Sequence, residues 1–201
     1  MQRVLKRILD LLVGMIGLLI LSPLFLVVAI AIKLTSPGPV FFRQERVGKD
    51  GRIFHIHKFR SMIQDAIDHP LGYHTNGSDP RVTSVGRILR HYSLDELPQL
   101  INIVRGEMSL VGPRPTLAYQ VEKYDDFQRR RLLVPPGVTG WAQVNGRNGL
   151  TWPERIERDV WYVDHWSLGL DLQILWQTAG VVLRREGINN EGIPDEISRL
   201  A

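Results

Sequence analysis

The sequence predicts a mainly helical α+β protein with a membrane segment at its N-terminus and a small globular domain after it. Residues 11–32 contain no charged side chain. Two extended runs, 40–47 and 52–60, flank an Asp-Gly turn, which is typical of a β-hairpin. Apolar residues then recur at helical spacing near 97–104 and again over 172–183. A chain of 201 residues is long enough for one such domain with its own core.

The composition excludes several classes of protein. The 25 Lys and Arg residues exceed the 21 Asp and Glu residues by only four, a basic excess too small to identify an anionic partner. The sequence also shows no platform of stacking aromatic residues and cations, so we predict no nucleic-acid partner. It has no cysteine, which excludes a disulfide scaffold and a thiolate metal site.

The apolar run at 11–32 is long enough for a helix that crosses the bilayer core. It is longer than the apolar part of a cleaved signal peptide, about 7–15 residues, although basic residues precede it. Ser22 and Pro23 lie near its middle. Pro23 cannot donate a backbone hydrogen bond and its ring crowds the preceding turn, so we expect a kink. Ser22 can bond a carbonyl that the kink frees.

Two courses through the membrane remain open from these residues. The first is a kinked helix that spans the bilayer, and the second is a re-entrant helix-break-helix that returns to the side from which it entered. Basic residues lie before the run and also after it, at Lys33 and Arg43, so the positive-inside rule selects no orientation. Unpaired backbone groups are costly in lipid, so a break at this depth needs a functional reason.

Residues 93–99, Ser-Leu-Asp-Glu-Leu-Pro-Gln, place two carboxylates side by side at the start of a predicted helix. Ser93 and Glu96 fit a capping box, whereas the alternative places Pro98 at the first helical position. Either arrangement puts Asp95 and Glu96 at a helix N-terminus. The dipole there favours negative charge, and we expect it to keep Asp95 ionised.

Cations and a glycine-rich loop accompany these carboxylates. Lys58 and Arg60 continue one face of the second hairpin strand, where they are either exposed tips or a pair directed into a site. Two prolines hold Arg114 in a rigid Gly-Pro-Arg-Pro segment, and a preset guanidinium suits an oxyanion such as phosphate. Amides in the loop at 135–147 can cradle phosphates, which is a weak signal alone. Together these parts suit phosphoryl transfer, in which phosphate charge is neutralised and a carboxylate can be the nucleophile.

Six motifs occur in one order: Ser22-Pro23, FFRQERVG, KFRSM, SLDELPQL, GPRP and PPGVTGWAQVNGRN. This set resembles the bacterial sugar transferases, specifically the small monotopic polyprenyl-phosphate phosphoglycosyl transferases, from about Lys6 to about Gly187. Six motifs in order are far more specific than any one of them.

The resemblance implies three parts of the chain. Residues 1–36 form a re-entrant membrane hairpin that breaks at Ser22 and Pro23. Residues 37–187 form a catalytic domain on the membrane surface, with amphipathic interfacial helices, and residues 188–201 form a polar tail. The implied location is the cytoplasmic face of the bacterial inner membrane, in contact with membrane lipid. A homo-oligomer stays open.

The resemblance also implies the chemistry. Such an enzyme moves a sugar 1-phosphate from a UDP-sugar to polyprenyl (undecaprenyl) phosphate and releases UMP, with the phosphosugar held on Asp95 as an intermediate. Glu96 and Mg²⁺ assist, and Asp95 and Glu96 are the implied metal ligands. This transfer is the first membrane step of glycoconjugate or polysaccharide synthesis.

Further residues match the family by position. Lys58, Arg90 and Arg114 match basic residues that bind the substrate phosphates, and Gln143 and Arg147 lie in the loop expected to meet the nucleotide sugar. The segment GWAQVNGR looks more like the members that handle N-acetylated amino sugars than those that handle glucose or galactose. The alternative function is a membrane-anchored protein that binds a nucleotide sugar without catalysis.

Overall fold

A computed structural model of the protein describes residues 1–66, 79–146 and 149–184. Its helices are α1 (Gln2–Thr35), α2 (Ser84–His91), α3 (Leu100–Arg105), α4 (Ala118–Glu122), α5 (Asp126–Arg129), α6 (Trp141–Val144), α7 (Trp152–His165) and α8 (Leu168–Arg184). Its strands are β1 (Phe41–Val47), β2 (Ile53–Phe59), β3 (Ser109–Val111) and β4 (Gly137–Thr139). Short 3₁₀ helices cover Lys49–Gly51, Leu94–Gln99 and Arg130–Leu133. The prediction of a mainly helical protein with a small sheet is confirmed.

Helix α1 contains the apolar run and is long and apolar enough to cross a membrane. Only 11% of its most apolar 18-residue window is buried against the rest of the chain. The helix runs through Ser22 and Pro23 without interruption, so the predicted break is not confirmed. The Ser22 hydroxyl donates a hydrogen bond to the Leu19 carbonyl at 2.8 Å, which is the compensation expected beside a proline.

Charged side chains attach the N-terminal half of α1 to the globular domain. Lys6 Nζ lies 2.6 Å from a carboxylate oxygen of Asp171 in α8. Arg7 donates to two carbonyls near the end of α3, those of Ile103 and Val104, at 2.6 and 2.8 Å. The Ile103 carbonyl also accepts from the Gly106 N–H at 3.0 Å. Carbonyls in the last turn of a helix lack partners further along it, so the guanidinium adds a donor there and ties the two helices together.

Apolar contacts attach the C-terminal half of α1 instead. Val28 and Ile32 are buried against Phe59 of β2 and Leu89 of α2. The two halves of α1 therefore contact one and the same globular domain.

The β-hairpin predicted around the Asp-Gly turn is confirmed. β1 and β2 pair antiparallel, in a register that runs from Phe41 opposite Phe59 to Val47 opposite Ile53. The two turn residues have left-handed φ angles of 55° and 76°, which suits the Asp-Gly sequence.

The two cations at the end of this hairpin have different positions. Arg60 is only 5% exposed and donates to the backbone carbonyls of Ser36 and Pro37, where the chain leaves α1. Lys58 instead reaches the carboxylate Glu96. The predicted pair of cations therefore divides into one structural residue and one site residue.

β3 and β4 form a short parallel pair that joins two loops. The Gly112 N–H donates to the Thr139 carbonyl at 2.9 Å, and the Gly137 N–H donates to the Pro113 carbonyl at 2.8 Å. A Cβ on Gly112 would lie 2.4 Å from the carbonyl oxygen of Pro135, so the close approach requires glycine. The pairing fixes the Gly-Pro-Arg-Pro segment beside the glycine-rich loop.

The apolar periodicity over 172–183 lies in α8, and α7 precedes it. Trp166 Nε1 donates to Asp171 at 3.1 Å and is part of the folded interior, whereas Trp176 is 83% exposed. The tryptophans are thus divided between core and surface. Contact between these helices and a membrane interface stays a prediction, and the predicted tail at 188–201 lies outside the described residues.

Candidate active site

The adjacent carboxylates Asp95 and Glu96 lie in the 3₁₀ helix Leu94–Gln99, which leads directly into α3. Ser93 has a left-handed backbone (φ 55°) and its side chain caps no backbone N–H, so the predicted capping box is wrong. An N-cap residue needs an extended backbone, which Ser93 does not have. The alternative start is also wrong, because α3 begins after Pro98 and not at it.

Glu96 is held by two cations from other elements. Lys58 Nζ lies 2.9 Å from Glu96 Oε1, and Arg114 Nη2 lies 2.7 Å from the same oxygen. Arg114 Nη1 also reaches Oε2 at 3.5 Å, so the guanidinium contacts both oxygens. Burial opposes the ionisation of Glu96, but the charges of Arg114 and Lys58 outweigh it and hold the pKa of Glu96 well below its usual value. Glu96 is therefore an ionised carboxylate whose oxygens are already engaged.

Asp95 differs from its neighbour. Its half-buried carboxylate makes no hydrogen bond or ion pair with any residue in the described part of the chain. Burial raises the pKa of Asp95 and the charge of Glu96 raises it further, whereas Lys58, Arg90 and Arg114 oppose the rise. This direction is opposite to the one that a helix N-terminus predicts, because burial and the adjacent charge outweigh the dipole. Asp95 is the carboxylate of the pair that is available to a ligand.

Arg90 joins the site from α2. Its Nε donates to the Ser61 hydroxyl at 2.9 Å, and its charge acts on Asp95. The structure therefore brings together five predicted site residues from four separate segments: Lys58, Arg90, Asp95, Glu96 and Arg114. Ser61, which orients Arg90, lies in the KFRSM motif but was assigned no role, because a serine after a strand carries no signal of its partner.

Gln143 lies in α6, after the glycine-rich loop. Both polar atoms of its amide are buried and have no hydrogen-bond partner among the described residues. A buried amide normally has hydrogen-bond partners, and their absence here keeps Gln143 a candidate for contact with a substrate. A Cβ on Gly140 would lie 2.7 Å from Gln143 Oε1 and 2.2 Å from the Gly112 carbonyl oxygen, so glycine makes this packing possible. Arg147 lies outside the described residues.

Arg131 is a further residue of the site that sequence reasoning missed. It is 2% exposed, pairs with Asp159, and donates to the Tyr124 hydroxyl at 2.7 Å. It also donates to the Arg114 carbonyl at 3.0 Å, which fixes the backbone that carries the site cation. Arg131 is the last of three consecutive arginines, and such a run usually indicates an exposed basic face, so the sequence holds no signal of its burial.

A metal ion at this site would have few protein ligands. Among the residues that the structure describes, no group of three His, Cys, Asp or Glu side chains is placed to hold one. Mg²⁺ does not require such a group, because one or two carboxylates, substrate phosphates and waters can complete its shell. Asp95 fits as that carboxylate, whereas the oxygens of Glu96 are engaged by Lys58 and Arg114.

Known proteins with similar sequences identify the family. The sequence profile of the bacterial sugar transferase family matches residues 1–185. The chain is 44% identical to the uncharacterized sugar transferase EpsL of Bacillus subtilis, over 92% of this chain and 90% of EpsL.

Two longer relatives have more specific names. The chain is 44% identical to the UDP-glucose:undecaprenyl-phosphate glucose-1-phosphate transferase of Escherichia coli, over 89% of this chain and 40% of that protein. It is 43% identical to the UDP-N-acetylgalactosamine-undecaprenyl-phosphate N-acetylgalactosaminephosphotransferase of Aeromonas hydrophila, over 89% of this chain and 43% of that protein. The chain spans about two fifths of the length of these two relatives. With a profile match over residues 1–185, this chain belongs to the bacterial sugar transferase family.

Proposed function

We propose that this protein transfers a sugar 1-phosphate from a UDP-sugar to undecaprenyl phosphate, giving undecaprenyl diphosphate sugar and UMP. The observation that carries the proposal is the contrast between two adjacent carboxylates. Glu96 is held by two cations, whereas Asp95 has no partner among the described residues. The names of the two longer relatives supply the classes of donor and acceptor.

In the proposed first step, a carboxylate oxygen of Asp95 attacks the phosphorus that bears the sugar. A new oxygen–phosphorus bond forms and the bond to the bridging oxygen of the diphosphate breaks, so UMP leaves with that electron pair. In the second step, an oxygen of undecaprenyl phosphate attacks the same phosphorus and the Asp95 carboxylate is released. Both nucleophiles react in their anionic forms. Burial raises the pKa of Asp95, and the charges of Lys58, Arg90 and Arg114, which oppose that rise, favour the anion that the first step requires.

The remaining side chains have supporting roles in this proposal. Lys58, Arg90 and Arg114 neutralise the phosphate oxygens, on which charge develops during transfer. Glu96 keeps Lys58 and Arg114 in position, because its Oε1 lies 2.9 Å from Lys58 Nζ and 2.7 Å from Arg114 Nη2. Mg²⁺ is the proposed cofactor, and when bound it supplies positive charge that reduces repulsion between the diphosphate and the carboxylates. Asp95 would hold the ion together with substrate oxygens.

The proposed course of α1 is re-entrant, with both ends at the cytoplasmic face of the inner membrane. A straight helix of 34 residues is about 51 Å long, well beyond the ~30 Å hydrocarbon core. A spanning course would carry one half away from the domain, yet both halves contact it, through Lys6 and Arg7 at one end and Val28 and Ile32 at the other.

Labelling of terminal tags tests this topology. We expect tags at both termini to react only from the cytoplasmic side in the native protein. Replacing Pro23 by Ala restores a backbone donor and should shift part of the population to a spanning helix. A periplasmic N-terminus in the native protein would overturn the re-entrant course.

The experiment that tests the transfer is an intact mass measurement of the full chain with Mg²⁺ and a panel of UDP-sugars, without lipid acceptor. We expect a gain of one sugar phosphate, with the most adduct from a UDP-linked N-acetylated amino sugar, the donor class that the GWAQVNGR wording favours. Asp95→Asn should give no adduct. Asp50→Asn is the matched control, since this exposed hairpin residue has a left-handed backbone that asparagine tolerates. Normal product formation by Asp95→Asn would contradict the proposal.

A further inference from the structure

Helix α1 carries a buried carboxylate in its third turn. Asp10 is only 5% exposed, although it lies in the helix that is long and apolar enough to cross a membrane. Its Oδ1 accepts a hydrogen bond from the backbone N–H of Leu110 in β3 at 3.0 Å. Charged side chains are costly in an apolar membrane helix and usually have a defined partner there. The partner here is a backbone group, so Asp10 fixes the strand that carries it.

Lys6 lies one turn before Asp10 and holds the next residue of the same strand. Its Nζ donates to the Val111 carbonyl at 3.0 Å and lies 2.6 Å from Asp171 Oδ2. The Tyr162 hydroxyl reaches the same two groups, at 3.2 Å from the Val111 carbonyl oxygen and 2.7 Å from Asp171 Oδ1. Two consecutive residues of β3 are therefore held by side chains from α1.

Strand β3 leads directly to a cation of the site. Arg114 follows Val111 by three residues, through the Gly-Pro-Arg-Pro segment that pairs with the glycine-rich loop. The prolines fix φ in this segment, so a displacement of β3 is carried on to Arg114. The position of the Arg114 guanidinium, with Nη2 2.7 Å from Glu96 Oε1, thus depends on the position of β3.

The N-terminal half of α1 also holds the helix that follows Glu96. Arg7 donates to two carbonyls near the end of α3, and α3 continues the 3₁₀ helix that contains Glu96. A Cβ on Gly14 would lie 3.0 Å from Val104 Cγ2, so glycine allows α3 to lie close against α1. The two partners of the contact between Arg114 and Glu96 are therefore connected, through short segments, to one and the same helix.

We propose that Lys6, Arg7 and Asp10, which we call the N-terminal clamp, position Arg114 against Glu96 for the transfer reaction. The apolar helix is then part of the catalytic framework as well as a membrane anchor. The clamp residues are positioning residues, because they act through β3 and α3. This inference rests on the proposed function, since the reaction that the clamp serves is the transfer from a UDP-sugar.

Two replacements of Asp10, nearly equal in size, separate its hydrogen bond from its volume. Asp10→Asn keeps an acceptor oxygen for the Leu110 N–H and should lower kcat/KM for the UDP-sugar by no more than about threefold. Asp10→Leu leaves that N–H without its acceptor and should lower kcat/KM about 10- to 100-fold, because a displacement of about 1 Å far from the chemistry can have that effect. An equal loss in both variants would overturn the role of this hydrogen bond.

A double-mutant cycle with Arg114→Lys separates positioning from a general loss of structure. Arg114→Lys already lacks the planar contact with Glu96, so the addition of Asp10→Leu should lower kcat/KM further by no more than about threefold. The melting temperature should fall by the same amount in both backgrounds. If the two losses of activity multiply instead, Asp10 serves stability alone and the proposal is overturned.

Lys6→Met repeats the cycle at a second residue of the clamp, because it removes the donor to the Val111 carbonyl. It should couple to Arg114→Lys as Asp10→Leu does, and Lys6→Arg, which keeps a cationic donor, should restore most of the activity. A lack of coupling for both Lys6→Met and Asp10→Leu would overturn the clamp even where one of the two variants folds poorly.

Lys33→Met is the matched control, because Lys33 is a cation at the opposite end of α1 whose Nζ donates to a backbone carbonyl, that of Gly38, at 2.9 Å. Its effect should multiply with that of Arg114→Lys to within about twofold. The N-terminal tag of Asp10→Leu should react from the same side of the membrane as in the native protein. A control that couples as strongly as Asp10→Leu, or a changed side of the tag, would overturn the proposal.

Hydrogen exchange measures the clamp without any turnover. Asp10→Leu should increase the exchange of backbone amides over residues 109–116 and leave that of α2 unchanged. If no UDP-sugar gives an adduct on Asp95 but this exchange increases, the hold of the clamp on β3 stands and the transfer reaction fails. If the adduct forms while the exchange and the cycle show no effect, the reaction stands and the clamp fails.

Discussion

Two arginine–carboxylate clusters adjoin each other in this protein and differ in their exposure. In the site cluster, Arg114 and Lys58 hold Glu96, and in the sealed pair, Arg131 holds Asp159. The side chains of the sealed pair are each 1% exposed, whereas Arg114 is 42% and Glu96 is 20% exposed. The same chemistry therefore supports structure where solvent is excluded and remains open to a ligand where one side of the cation is exposed.

The difference determines what each cluster contributes. Removing one member of a buried ion pair leaves a charge without compensation, which is strongly destabilising. A partly exposed pair contributes little to stability, because water can replace the lost partner. We therefore expect stability to depend on the sealed pair and transfer activity to depend on the site cluster.

The largest expected effect follows from breaking the sealed pair. Asp159→Asn should lower the free energy of unfolding by about 3–5 kcal/mol, because the Arg131 charge then stays buried alone. Denaturant unfolding of the detergent-solubilised chain measures this loss. The double variant Arg131→Met/Asp159→Leu removes both charges and should lower the free energy of unfolding much less than Asp159→Asn does. A single variant as stable as the double one would contradict the assignment of a sealed pair.

Breaking the site cluster should instead reduce transfer activity and leave stability nearly unchanged. Glu96→Gln should reduce UMP release during transfer by about 10²- to 10³-fold, because Lys58 and Arg114 lose the charge that positions them. Its free energy of unfolding should change by about 1 kcal/mol or less. Glu45→Gln, at an exposed position on β1, is the control and should change neither quantity. A destabilised but fully active Glu96→Gln would place Glu96 with the structural residues.

A smaller effect is expected when the charge is kept and the geometry is changed. Arg114→Lys retains the cation but not the contact of one planar group with both Glu96 oxygens. We expect kcat/KM for the UDP-sugar to fall about tenfold. Arg52→Lys is the control for the general effect of this replacement. Full activity of Arg114→Lys would mean that charge alone is sufficient at this position.

A third arginine–carboxylate pair extends the comparison to pH. The side-chain hydrogen bond from Arg81 holds the pKa of Asp79 below its usual value. Arg81 Nη2 lies 2.7 Å from Asp79 Oδ2. The unfolded chain then binds more protons than the folded one near the unfolded pKa of about 3.9. The contribution of this pair to stability is therefore complete well above pH 3.9 and is lost as pH falls through the lower folded pKa.

The free energy of unfolding, measured across pH 3–7, tests this direction. The effect is the smallest one expected here: Asp79 should contribute about 0.4 kcal/mol less to stability at pH 3.9 than at pH 7. Asp79→Asn should lack this component of the acid dependence, although it starts from a lower stability at pH 7. If the stability difference between the wild type and Asp79→Asn grew as pH falls, the pKa of Asp79 would not be lowered by folding.

Local patterns in the sequence predicted most of the fold. The hairpin follows from an Asp-Gly turn between two extended runs, and α8 follows from the apolar periodicity over 172–183. These features depend on backbone preferences and on neighbours within a few residues, so a sequence contains them. The start of α3 was predicted wrongly because the left-handed Ser93 and the 3₁₀ turn after it depend on the elements packed around them.

The site was predictable as a set of residues but not as an arrangement. Asp95, Glu96 and Arg114 stand out in the sequence because paired carboxylates and a proline-bounded arginine are unusual. That Glu96 and not Asp95 takes the cations could not be inferred, since adjacent residues have the same local signal. Arg131 could not be found at all, because its burial results from packing between the 3₁₀ helix that contains it and α7.

The sequence by itself determined which residues are candidates for the site, where the hairpin and the long apolar helix lie, and to which family the chain is similar. Only the tertiary structure decided which carboxylate remains available and which arginines are structural, and it also attached both halves of α1 to one domain. The physical reason is range. Turn and helix preferences act over a few bonds, whereas burial and charge depend on residues such as Lys6 and Asp171, which are distant in the chain and in contact in space.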